Sequence, residues 1–296
     1  MMESVQRIFA LARITLLEAM RQKVLNILIL FAVIAVGTSL YFSTLKSDEQ
    51  IKFLLDFCFG AMTVFGLFIA LISTAYMIPN ELENRTIYTI LAKPVRRSEF
   101  IVGKYLGVVA LLGVVTLLMS IVFLIVLNVQ AQINIASYTQ LVEQEGVPEL
   151  DKRQLITTNT NTVLAQAQDP MILQGILLVY ARLCIVAAMA MVISTITTSA
   201  IFTVCTTFMF YVIGHMQGYA RDVVMDPTEQ YGPIQKALLS CIAALIPNMR
   251  SFSAIDEMVL GTKVTWDMTF GLLGYSAFYI TCAIALASLL FSEREL

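Results

Sequence analysis

PNELENRTIYTILAKPVRRSEFIVGKYLG, residues 79–107, is the one long polar break between two apolar stretches that also carries a dense basic cluster. Five of the nineteen Lys and Arg residues sit here: Arg85, Lys93, Arg96, Arg97 and Lys104. Asn80 is a good N-cap, and Glu83 lies three residues on, in the capping-box position. Leu82, Ile87, Ile90 and Leu91 follow at helical spacing, which predicts a short amphipathic helix over 80–92. Pro94 ends it, because proline lacks an N–H and disfavours helical backbone at Lys93. Ser98 is placed to cap the next helix, and Glu99 suits its positive N-terminal end. Two readings stand side by side. One is a positive loop that only fixes topology; the other is a helix that docks on something at the cytoplasmic surface.

Working outward, the chain has 296 residues, is 58% hydrophobic and has a mean hydropathy of +0.80. A soluble domain of this size cannot bury that much apolar surface, so the sequence reads as a polytopic membrane protein. Charged residues make up 14% and fall mostly between the apolar runs. The net charge is −2, with no basic tail, which argues against a nucleic-acid partner. Cys58, Cys184, Cys205, Cys241 and Cys282 lie in or beside apolar runs, with no CxxC, and His215 is the single histidine. They read as packing residues rather than metal ligands. The N-terminus lacks the pattern of a cleavable signal.

The periodicity predicts an all-α fold with six transmembrane helices, at about 24–41, 53–78, 105–129, 171–196, 201–216 and 268–291. Before them, 3–23 carries a stripe of Val5, Ile8, Phe9, Ala12, Leu16 and Met20, which predicts a helix lying in the membrane interface. Gly60 and Gly66 would allow close helix approach. The connections are a coupling loop at 79–104 and outer loops at 42–52, 130–170 and 217–267. Within the last, 237–246 is apolar but too short to cross, and reads as a short re-entrant or interfacial helix ended by Pro247. Counting Lys and Arg in the short loops puts both termini and the 79–104 loop inside.

The sequence has no Walker phosphate loop, HExxH or GxSxG motif, and no pair of carboxylates inside the spans. Arg182 is the outlier, about 16 Å into the fourth span. A centre-placed arginine costs roughly 2.5–3.5 kcal/mol on insertion scales. It either snorkels or pairs with carbonyls inside the bundle, or it lines a pathway or subunit interface and meets an anionic group. The hydroxyls of Ser194, Thr195, Thr197, Thr198 and Ser199 suit a tight turn.

The 79–107 stretch resembles the loop between spans two and three in permease subunits of ABC exporters, the ABC-2 family. The matching residues are Glu83, Thr86, Leu91, Lys93, Pro94, Arg96, Gly103 and Lys104. Many members carry glycine just before the threonine, where this chain has Arg85. The helix before span one, the LIPN at 245–248 and the charged SEREL tail fit the same plan. The resemblance implies half a transporter, pairing with a second copy or a related permease. It also implies a separate cytoplasmic ABC ATPase that binds ATP, so the chain is not itself an enzyme and holds no cofactor or metal. It places Glu81, Glu83, Arg85 and Thr86 against that ATPase, with Lys93, Pro94 and Arg96 shaping the join to span three. The family's usual setting is the bacterial inner membrane, among membrane lipids. The competing readings are a self-contained carrier or channel, and a non-transport membrane complex subunit.

Overall fold

The computed structural model describes residues 2–21, 24–42, 47–79, 96–144, 148–225, 246–252 and 264–293. Among these residues there is no strand. The helices are α1 (Met2–Arg21), α2 (Val24–Phe42), α3 (Ser47–Ala75), α4 (Arg97–Gln144), α5 (Glu149–Ala167), α6 (Met171–Ile196), α7 (Ala200–Met225) and α8 (Trp266–Glu293), with a 3₁₀ turn at Arg250–Phe252. Among the described residues, five helices are long and apolar enough to cross a membrane: Gln50–Pro79, Arg97–Gln144, Asp151–Ile196, Ala200–Gln217 and Trp266–Glu293. The chain is a multi-pass membrane protein. Where the sequence predicts six spans the structure gives five by this measure, because the described apolar stretch of α2 is shorter, Asn26–Ser39.

The connections differ most from expectation. Helix α4 has 48 residues, about 72 Å at 1.5 Å per residue. That is more than twice the ~30 Å of a bilayer's hydrocarbon. It begins before and ends well after the 105–129 expected of span three. The 130–170 region, read from sequence as an outer loop, is mostly helix: the top of α4 and all of α5 pack as a hairpin. Likewise α3 starts at Ser47, inside the expected 42–52 loop, and α7 runs to Met225, inside the expected 217–267 loop. Of the 237–246 element only Ile246 falls among the described residues.

Buried polar residues tie the 130–134 part of α4 to α2 and α3. Gln130 and Asn134, one turn apart on α4, are fully buried. The Asn134 amide donates to Gln50 Oε1 on α3 at 2.8 Å, and Ser39 Oγ on α2 donates to Gln130 Oε1 at 2.8 Å. Three helices are thus tied together by buried side-chain amides and a hydroxyl, each giving the others the partners that burial demands. Asn159, Val163 and Ala167 form the buried stripe of α5.

Helix α6 is the centre of the bundle and packs on α3, α4, α7 and α8. Tyr105 of α4 donates to the Cys184 carbonyl at 3.0 Å, and Tyr180 of α6 donates to the Val109 carbonyl at 3.2 Å. Gly66 lies against Leu183, as close approach requires, whereas Gly60 faces open space. The segment 246–252 is wedged between α7 and α8. Met249 N–H donates to the Gly214 carbonyl at 3.1 Å, and Asn248 N–H donates to the Tyr275 hydroxyl at 2.9 Å.

Candidate functional site at the base of α4

The first residue described after the 80–95 stretch is Arg96, and α4 starts one residue later. The cap is not Ser98, which lies inside the first turn. Glu99, three residues into the helix, reaches back instead: its Oε2 accepts the Arg96 backbone N–H at 3.3 Å, the acidic half of a capping box. Glu99 is only 7% exposed. Its carboxylate accepts a hydrogen bond from Ser4 of α1 and lies 3.6 Å from Arg7 Nε. The Ser4 bond, then the Arg96 backbone bond and the Arg7 charge, outweigh desolvation and hold the carboxyl below its ordinary 4.5.

The same contact repeats up the two helices. A Cβ on Gly103 would lie 2.8 Å from Leu11 Cβ and 3.2 Å from the Ile8 carbonyl oxygen. One on Gly107 would lie 2.5 Å from Thr15 Cβ and 2.8 Å from the Ala12 oxygen. Gly103 and Gly107 are a small-xxx-small pair that lets two backbones touch. Residues 7, 11 and 15 of α1 meet 99, 103 and 107 of α4, and Ser39 of α2 meets Gln130. The offset stays near 92 throughout, so α1 and α2 run in sequence alongside α4 and parallel to it, over about 46 Å. The expected interfacial helix is therefore a helix clasped lengthwise to α4. Its predicted stripe divides: Ile8 and Ala12 face α4, while Val5 and Phe9 are exposed. Lys104, 3% exposed, sits inside this joint, 4.0 Å from Glu18 Oε2 and 5.8 Å from the Phe100 ring centroid.

The other side of the α4 base grips α8. Arg97 Nη1 donates to the carbonyls of Ser292 at 2.8 Å and Phe291 at 3.2 Å. These carbonyls end α8 with no intrahelical partner, and a cation there also suits the helix dipole. Phe100 stacks on Phe291 with centroids 5.6 Å apart. One helix start thus holds both the N-terminal helix and the end of the C-terminal helix.

Of the residues singled out from sequence, Glu81, Glu83, Arg85, Thr86, Lys93 and Pro94 lie outside the described residues. Arg96 is exposed at the head of the joint. Arg182 is 4% exposed on α6, two residues from Tyr180 and two from Cys184. It lies inside the bundle, away from Arg96. Among the described residues no group of three or more His, Cys, Asp or Glu gathers where a metal could sit.

A family model described as ABC-2 family transporter protein matches residues 9–296. The chain belongs to the ABC-2 transporter family. No curated protein matches it. In this ABC-2 chain the match takes in α1 from Phe9 onward and all of α4 and α8. Sequence reasoning found Arg96, Gly103 and Lys104 as motif positions, but not their partners. The four-residue spacing of Gly103 and Gly107 was the available signal for the α1 contact. Nothing in the sequence signals the pairing of Arg97 with Ser292.

Proposed function

We propose that this chain is the transmembrane permease subunit of an ABC exporter, working with a separate cytoplasmic ATPase. ABC-2 membership supports the class. The observation that carries the mechanism is the joint at the base of α4, where α1 and the end of α8 are both fixed on the helix that begins at Arg97, within the last turns of the 79–104 stretch. If Glu81, Glu83, Arg85 and Thr86 dock on the ATPase, a push on the loop reaches α4 directly. Through the close contacts at Gly103 and Gly107 it reaches α1, and through Arg97 it reaches α8. Lys93, Pro94 and Arg96 form the short link that carries the push.

In this reading α2, 19 residues long and about 28 Å, is the first of six spans. Both termini and the joint face the cytoplasm of a bacterial inner membrane, and two such chains, alike or related, complete the transporter. ATP is bound by the partner, and this chain supplies only the path. Purification from native membranes tests it: an ATPase carrying a Walker phosphate loop should accompany the chain, and export should require both.

A second reading draws on the α4–α5 hairpin, which extends the bundle past the span length. The same ATPase-driven motion would then move a partner outside the membrane rather than a substrate across it. Loss of an outer-face process without substrate movement in vesicles would select this reading.

A further inference from the structure

Helices α7 and α8 both pack on α6 but hardly touch each other. Between them is a groove of about 520 Å³, floored by α6. Its walls use the same length of each helix: residues 189–196 of α6 with Thr197 just past its end, 202–210 of α7 and 278–286 of α8. Eight residues rise about 12 Å, close to the ~15 Å of one leaflet's hydrocarbon. The deep end is closed by Pro247 and Met249, which lie beside Met189 and Phe210. The other end coincides with the end of α6 and the start of α7. Hydroxyls gather there: Thr197 Oγ1 and Thr203 Oγ1 are 2.7 Å apart, and Ser199 Oγ accepts the Phe202 N–H at 3.5 Å. The interior is apolar, with Ile193, Phe210, Phe278 and Leu286 among its walls.

We infer that this groove holds one acyl chain of a membrane lipid, tail toward Met249 and headgroup at the Thr197–Ser199 turn. Size and shape choose this occupant. A pocket of this volume, mostly apolar with a few polar groups, has the usual form of a small-ligand site. One leaflet's depth, a blind apolar end and a hydroxyl-bearing mouth match a single-chain amphiphile. The leaflet, inner rather than outer, rests on the proposed orientation; occupancy of the groove does not.

The test uses the full chain in vesicles of phosphatidylethanolamine and phosphatidylglycerol with a trace of phosphatidylglycerol bearing a photoactivatable diazirine in one acyl chain. Labelled positions are mapped by peptide mass spectrometry. Labelling at 202–210 and 278–286 should exceed that on the exposed α4 face at Leu117, Ile121 and Ile125. It should fall several-fold in Thr206→Trp and in Cys282→Trp, which fill the groove from opposite walls, while α4 labelling holds. Only variants that elute and melt as the parent chain does are scored. Equal labelling of groove and α4 face, unchanged by both variants, would overturn the inference. So would disulfide-linked dimers through Cys282 with an unlabelled groove, which would give the groove to a second copy. Groove labelling in a chain that brings no ATPase with it would leave this site standing while removing the exporter reading.

Discussion

Arg97 and Ser292, 195 positions apart, meet at 2.8 Å, guanidinium nitrogen to carbonyl oxygen. The bond joins the start of α4 to the end of α8. Replacing Arg97 with Gln keeps a donor but removes the charge that favours a helix C-terminus. The expected loss is about 1 kcal/mol, seen as a drop of roughly 2–4 °C in Tm with helical content unchanged. Arg97→Lys should fall between the two.

The two glycines that meet α1 make a sharper contrast. Gly107→Ala places a methyl against the Thr15 side chain and the Ala12 backbone, and overpacking of that kind costs about 1–3 kcal/mol. Gly60→Ala adds its methyl where nothing lies within 4 Å and should be neutral, or stabilise the helix by roughly 0.5–1 kcal/mol. Thermal melting of both variants, with protease release of an N-terminal tag reporting the α1 contact, distinguishes them.

Acid should loosen the same contact. Glu99 has its carboxyl held below 4.5 in the folded chain, so it favours the folded joint above that pH. The contribution is lost as pH falls through the lowered value. Protease release of α1 should therefore stay low at neutral pH and rise only on strong acidification. In Glu99→Gln it should start higher and show little of that pH dependence.

The buried amides linking α2, α3 and α4 can be read by a double-mutant cycle. Asn134→Leu removes a donor to buried Gln50 and should cost about 1–3 kcal/mol. Gln50→Leu combined with Asn134→Leu should cost less than the two single changes added together, because the pair is then removed whole and only the longer 3.5 Å contact of the Gln130 amide with Gln50 is lost besides.

How far the fold could be read from residues alone follows from these particulars. The apolar spans were legible because hydrocarbon demands long apolar helices with satisfied backbones. The 130–170 hairpin was not. Its buried stripe includes Gln130, Asn134 and Asn159, and TTNTNT at 157–162 has low intrinsic helix propensity. Tertiary packing overrides both signals. Val5, Ile8, Phe9 and Ala12 announced an amphipathic α1, but the same stripe serves lipid or a neighbouring helix, and only the contacts at Gly103 and Gly107 decide. The α4 motif positions were visible through family resemblance. The contacts of Arg97 and Glu99 were not, since each joins segments far apart in the chain.

The most direct measurement is a mild-detergent pull-down of the tagged chain from its native membranes, beside a variant with Glu83→Lys and Arg96→Glu. A soluble ATPase with a Walker phosphate loop should be bound to the parent chain and lost from the variant, while both insert and melt alike. A folded parent chain that brings no such ATPase, or a variant that holds it as tightly as the parent, would contradict coupling through the base of α4.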